Sequence, residues 1–278
     1  MSRLEVRKTY KLYIGGAFLR SESGRSYPVT GPDGDVLARP ARASRKDLRD
    51  AVRAARQAFP GWSGATAYNR GQVLYRVAEL MEGRRAQFVE ELRRGGAKNA
   101  EREVGAAIDR WVWYAGWSDK VHHVLGTVNP VAGPYFNFTF PEPTGVVGVM
   151  APEEPALLGL VSRLAPAVVS GNAVVVVASE SKPLPAVTLT EVLATSDVPS
   201  GAINVLTGYK KELAPWLAGH MDVNAIDLTG APEHLRSELE ATAAANVKRV
   251  VRDGAAAQSP YAIAAFMEMK TVWHPMGA

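Results

Sequence analysis

The stretches Val146-Val147-Gly148-Val149-Met150 and Ala173-Val174-Val175-Val176-Val177 decide the fold class. Each is short, wholly apolar and rich in β-branched residues, and helix-length sequence separates them. Ala202 to Leu206, Asn224 to Leu228 and Val247 to Val251 repeat the pattern, making five runs. A strand exposed on one face alternates apolar and polar residues, whereas a parallel strand covered by helices on both faces is apolar throughout. The spacing predicts a doubly wound α/β sheet, Rossmann-like, over residues 144–260.

Toward the N-terminus, Leu12-Tyr13-Ile14-Gly15-Gly16 followed by Gly24, Pro28, Gly31-Pro32 and Gly34 reads as short antiparallel strands joined by turns. Ser44 with Asp47 three residues on marks a helix start. Leu48, Val52, Ala55 and Phe59 then recur at helical spacing until Pro60, where the helix is expected to stop. A second helix is expected from about Arg70 to Arg94, with Leu74, Val77, Met81, Phe88 and Leu92 inward, and a third around Val104, Ile108, Trp111 and Tyr114. Residues 1–134 thus form a β arm and helices belonging to the same domain. Two stretches break this rhythm. Tyr135-Phe136-Asn137-Phe138-Thr139-Phe140 alternates strictly, and Ala265 to Trp273 ends in Lys270-Thr271-Val272-Trp273. Both read as exposed or paired antiparallel strands, within segments 135–143 and 261–278.

The chain has 278 residues, 47% of them hydrophobic, enough for a sizeable core in one large or two small domains. Lys and Arg exceed Asp and Glu by 32 to 28, an excess too thin for a nucleic-acid surface. Arg3, Arg7, Lys8 and Lys11 lack the apolar segment of a signal peptide, and no apolar run approaches the roughly 18 residues of a membrane span, so the expectation is a cytoplasmic protein. The sequence contains no cysteine, which removes disulfides, cysteine-ligated metals and every thiolate nucleophile.

These landmarks together resemble the aldehyde dehydrogenase superfamily along nearly the whole chain. The resemblance rests on Tyr13-Ile14-Gly15-Gly16, Ala54-Ala55-Arg56-Gln57-Ala58-Phe59 with Trp62, Tyr114-Ala115-Gly116 with Asp119-Lys120, and Glu142-Pro143-Thr144-Gly145-Val146-Val147-Gly148. It continues through Leu164-Ala165-Pro166-Ala167 with Gly171-Asn172, Asn204-Val205-Leu206-Thr207-Gly208 and Leu228-Thr229-Gly230. Phe266-Met267-Glu268-Met269-Lys270-Thr271-Val272-Trp273 resembles the family's C-terminal oligomerisation strand. Phe266 follows Gly230 by only 36 positions. In the family that interval holds a complete second α/β domain bearing the catalytic cysteine, so the resemblance implies a member from which the catalytic domain is absent.

Family members oxidise aldehydes by thiolate attack, hydride transfer to NAD(P) and thioester hydrolysis, and the route requires the sulfur nucleophile that is missing here. The family's Pro-Trp-Asn-Phe-Pro stretch falls on Pro152-Glu153-Glu154-Pro155-Ala156, which puts the carboxylate of Glu154 where an oxyanion-binding amide is expected. The ribose-binding Lys falls on Val177, the pyrophosphate-contacting Ser on Ala231 and a helix Gly on Leu235, while the acid at Glu180 is kept. What remains of cofactor recognition is Glu180, Thr229 and Gly230, and the expectation is no cofactor, or NAD(P) if any. The general-base Glu would fall near Asp253, where a lone acid in a Gly/Ala loop reads as a turn residue.

The remaining polar features read as structural. Glu153-Glu154 lies between prolines in a rigid turn, and adjacent side chains seldom aim at one centre. His122-His123 has no partner at metal-ligand spacing, so no metal site is expected. Arg93-Arg94 and Lys248-Arg249 with Arg252 read as solvent-facing charge. Gly145, Gly148, Gly171, Gly208 and Gly230 at strand ends report fold rather than a ligand.

The aromatic alternation is different, because an apolar edge strand needs a cover. Tyr135, Phe136, Phe138, Phe140, Phe266, Met269, Val272 and Trp273 are the expected interface. In the family these strands pack against a neighbouring subunit's catalytic domain, and some members carry a second, cysteine-less half fused behind an active one. The expected function is a non-catalytic subunit that assembles with a full-length aldehyde dehydrogenase, with itself, or with both. The alternatives are a residual nucleotide-binding protein and a family oxidoreductase active only within a complex; no catalytic residue is assigned.

Overall fold

A computed structural model describes residues 8–252 and 257–277. β1 (Leu12–Ile14) and β2 (Ala17–Leu19) form one hairpin, and β3 (Val29–Thr30) and β4 (Val36–Ala38) a second. Helices α1 (Arg45–Gly64), α2 (Ala67–Gly83), α3 (Arg85–Arg94), α4 (Ala100–Ala115) and α5 (Val121–Leu125) follow, then strands β5 (Thr127–Asn129) and β6 (Tyr135–Pro143). Strand and helix next alternate as β7 (Val146–Met150), α6 (Ala156–Val169), β8 (Ala173–Val177), α7 (Leu184–Leu193), β9 (Ile203–Leu206), α8 (Lys210–Gly219), β10 (Ala225–Asp227), α9 (Glu233–Ala244) and β11 (Arg249–Val251). The short α10 (Pro260–Ala264) leads into β12 (Met267–Pro275).

The five apolar runs form the expected parallel strands in a seven-stranded sheet ordered β11-β10-β7-β8-β9-β1-β2. The N-terminal hairpin extends that sheet, β1 running antiparallel to β9 with Tyr13 opposite Val205. Alternation along each strand supplies both faces. Val147, Val149, Val174 and Val176 share a core with Leu74, Trp111 and Leu160, while Val146, Met150, Val175 and Val177 share another with Leu48, Leu213 and Leu239. Burying each such side chain is worth roughly 1.5–3 kcal/mol, which is why β7 and β8, with no polar residue, hold the centre of the sheet, while β9 and β10 carry the buried Asn204 and Asp227.

The helix ends depart from expectation where tertiary contacts outweigh local signals. Ser44 does cap α1, its Oγ accepting from the amides of Lys46 and Asp47 while the Asp47 carboxylate accepts from the Ser44 amide. The same carboxylate accepts from Ser21 Oγ at 2.7 Å and so ties the N-terminal hairpin to the helix. Pro60, however, lies inside α1, which continues to Gly64. Trp62 is fully buried and donates from Nε1 to the Val168 carbonyl at 3.0 Å, an anchor that offsets the bond lost at the proline. The single helix expected over 70–94 is two, starting at the Thr66 cap and broken at Arg84, whose ψ of 13° leaves the helical range.

The strands outside the parallel rhythm form a three-stranded antiparallel sheet ordered β12-β6-β5. β6 and β12 pair along nine residues, from Met267 opposite Pro143 to Pro275 opposite Tyr135. The aromatic strand is therefore central, and β12 forms the margin. Opposite residues share a face: Phe136, Phe138, Phe140, Val128 and Val272 lie on one side, Tyr135, Met269 and Trp273 on the other. Phe266 corrects the expected interface. It is only 1% exposed, belongs to the main core, and its carbonyl accepts from Asn172 Nδ2 at 2.9 Å and the Thr144 amide at 3.3 Å. It anchors the sheet to the body of the molecule.

Candidate functional site

The chain runs from β7 outward through β8 and β9, then returns to place β10 on the other side of β7. Strand order thus reverses between β7 and β10, and in open α/β sheets ligands bind outside the carboxyl ends of the strands at that point. Four strand exits converge here: Ala151-Pro152-Glu153, Ser179-Glu180-Ser181, Gly208-Tyr209-Lys210 and Leu228-Thr229-Gly230. The exits of β7 and β10 touch. The Gly230 amide donates to the Met150 carbonyl at 3.1 Å, and a Cβ at Gly230 would lie 2.3 Å from the Ala151 carbonyl, so only glycine fits.

Lys210, the first residue of α8, turns its side chain into this junction and is only 2% exposed. Its Nζ donates to the Ala151 carbonyl at 2.6 Å and to the Gly230 carbonyl at 2.8 Å, one from each side of the strand reversal, and pairs with the Glu153 carboxylate. Glu153 also accepts from Ser179 Oγ at 2.8 Å, the Glu180 amide at 3.0 Å, the Ser181 amide at 3.0 Å and Ser181 Oγ at 2.7 Å. Burial pushes this carboxyl up, but the Lys210 ammonium and the Ser181 bonds outweigh it and hold the group at about 2. Glu180 accepts from the Lys210 amide at 2.9 Å and thereby caps α8.

Around these groups lies a pocket of about 530 Å³ lined by Tyr27, Glu153, Glu180, Tyr209, Lys210 and Gly230. Tyr27 and Tyr209 meet at 5.2 Å between ring centroids. Burial, then the facing Glu180 and Glu153, push the Tyr27 phenol up, so it stays neutral. Glu180 and Gly230 thus line one pocket, whereas Thr229 is not among its lining residues and its amide donates to Asp227 Oδ1 at 2.9 Å. Glu153 and Lys210 organise it, although Glu153 reads as a turn residue and Lys210 belongs to no motif in the sequence.

The other positions behave as follows. Val177 and Ala231 are buried, and Leu235 packs on the same apolar layer with Met150 and Leu213. Glu154 is exposed and pairs with Lys182. The first free amides of α6, at Leu157 and Leu158, donate to Glu103 Oε1 at 2.8 and 3.3 Å. Arg93, Arg249 and Arg252 pair with Glu101, Glu268 and Glu240. Among the described residues no group of three or more His, Asp or Glu side chains is placed to hold a metal ion, and no helix is long and apolar enough to cross a membrane. Asp253 lies outside the described residues.

The aldehyde dehydrogenase family model matches residues 18–272. Human retinal dehydrogenase 2 is 35% identical over 255 residues, covering 89% of this chain and 48% of its own length. The structure of PnpE from Pseudomonas sp. WBC-3 superposes with a TM-score of 0.81 at 28% identity, covering 87% of this chain and 50% of that one. The NAD+ complex of aldehyde dehydrogenase from Bacillus cereus does so with a TM-score of 0.81 at 25% identity, with the same coverage of 87% and 50%. The chain therefore spans about half the length of the relatives it matches. With the matching model covering most of its length, the chain belongs to the aldehyde dehydrogenase family.

Proposed function

We propose that this chain is a non-catalytic aldehyde dehydrogenase-like subunit that assembles with, and structurally supports, a full-length NAD(P)-dependent aldehyde dehydrogenase. The observation that carries this is internal to the chain. Between Gly230 and Phe266 the described residues hold α9, β11 and α10, after which β12 pairs directly with β6. A second α/β domain has no room there, and the sequence supplies no cysteine to attack an aldehyde. The strands associated with assembly are kept, and Phe136 and Trp273 remain 42% and 58% exposed on opposite faces of their sheet. Large rings held outward on a marginal sheet favour burial against another chain.

A tagged chain, recovered from its native extract, tests this beside a variant carrying Phe136→Asp and Trp273→Asp. A cysteine-bearing aldehyde dehydrogenase recovered in fixed ratio with the tagged chain, with its NAD-dependent activity, and lost with the variant, is the expected result. NAD-dependent aldehyde oxidation by the purified chain alone overturns the non-catalytic assignment. Recovery of the bait alone, with light scattering giving a discrete multimer, replaces the partner with a second copy.

A further inference from the structure

We infer that Glu153 and Lys210 are permanent internal occupants of the crevice at the β7/β10 strand reversal, and that the chain excludes nicotinamide dinucleotides rather than binding them weakly.

Space is the first ground. The Lys210 ammonium bridges the Ala151 and Gly230 carbonyls, the backbone groups that flank the reversal, and its side chain is buried there. A dinucleotide reaching the backbone between these exits has to expel that side chain, and the pocket of about 530 Å³ outside it is lined by the carboxylates of Glu153 and Glu180.

The second ground is the state of the donors. A pyrophosphate is held by backbone amides at loops and helix starts. Here the amides of Glu180 and Ser181, with two serine hydroxyls, already serve Glu153. The Lys210 amide at the start of α8 serves Glu180, the Thr229 amide serves Asp227, and the Leu157 and Leu158 amides at the start of α6 serve Glu103. Each of the donor groups just named is met by one of the chain's own carboxylates, whereas the start of α9 carries no side-chain cap. An incoming diphosphate would displace those carboxylates and then lie beside them, negative charge against negative charge.

The third ground is the cation. A lysine at a phosphate site attracts its ligand only if its charge is available. Lys210 is paired with Glu153 and turned inward, so its charge is offset by a carboxylate that lies nearer the mouth of the crevice. Glu180, the one acid retained from the family's ribose contacts, is likewise committed to the α8 amide.

The test uses the purified full chain and needs no partner, so its failure leaves the assembly proposal standing. NAD and NADP titrated by calorimetry to about 5 mM should give no saturable heat. Reductive methylation read by mass spectrometry should modify Lys210 at least about tenfold more slowly than the exposed Lys98 and Lys211, with or without NAD; that factor corresponds to about 1.4 kcal/mol of protection. Glu153→Gln should raise the Lys210 rate severalfold while leaving Lys98 unchanged. Saturable binding of either dinucleotide anywhere in that range, a dissociation constant below about 5 mM, overturns the inference. So does a Lys210 that reacts as fast as Lys211 in the unmodified chain, even without nucleotide binding, because the crevice is then open. If Glu153→Gln does not fold, the rates in the unmodified chain decide alone.

Discussion

Two regions of this molecule treat polar and apolar groups in opposite ways. At the carboxyl end of the parallel sheet, charged side chains point inward and satisfy one another, with Lys210 buried and Glu153 accepting five hydrogen bonds. In the three-stranded sheet, aromatic rings point outward, Phe136 and Phe138 meeting at 5.3 Å and Tyr135 and Trp273 at 5.7 Å without being enclosed. On the reading proposed above, the first region uses its binding capacity internally and the second retains it, which puts interaction on the sheet formed by β6 and β12 and not on the crevice at the carboxyl ends of the parallel strands.

The contrast is sharpest between Phe266, which leads into β12, and Phe136 on the paired strand β6. Phe266→Ala should cost about 3–5 kcal/mol in urea unfolding, because its ring is fully enclosed, whereas Phe136→Ala should stay within about 1 kcal/mol. Equal losses would mean that the antiparallel sheet is as enclosed as the core. In the crevice, Glu153→Gln should destabilise by about 2 kcal/mol. That is less than the cost of breaking a fully buried pair, because the Glu153 side chain is 41% exposed. Combining it with Lys210→Met should cost less than the two single losses added, since the second change removes the charge that the first left unpaired.

The acid limb of stability offers a smaller effect with a defined sign. Glu153 is held at about 2, against 4.5 for the free group, so its contribution is complete above about pH 4.5 and is lost as pH falls toward 2. Wild type should lose more stability than Glu153→Gln across that window in acid titrations followed by circular dichroism. Lys248 has the opposite consequence. Burial lowers its ammonium to about 8, and its Nζ donates to the His220 carbonyl at 2.6 Å. The unfolded chain holds that proton up to about 10.5, so stability should rise with pH from about 8 to 10.5. Lys248→Met should flatten that slope.

Much of this architecture is legible before any coordinates. The parallel strands are legible because burial on both faces leaves no polar residue in Val146–Met150 or Ala173–Val177. The start of α1 is legible because Ser44 and Asp47 satisfy each other within one turn. The end of α1 is not, since its passage through Pro60 depends on Trp62 reaching Val168 on another helix. Phe266 and Trp273 look alike in the sequence, both large and apolar in one short segment. Their fates separate only when Asn172 takes the Phe266 carbonyl and the strand beyond leaves the core.

The fold class and the lack of a thiolate follow from the sequence alone, through local periodicity and composition, and its motifs carry the resemblance to the family. Tertiary structure decided the rest. It placed Phe266 in the core, split the aromatic residues over two faces of a sheet, and brought Lys210 from the end of β9 to the junction of β7 and β10. A buried ammonium needs acceptors from several directions at once, and only the strand order, which sets Ala151, Glu153 and Gly230 around one point, provides them.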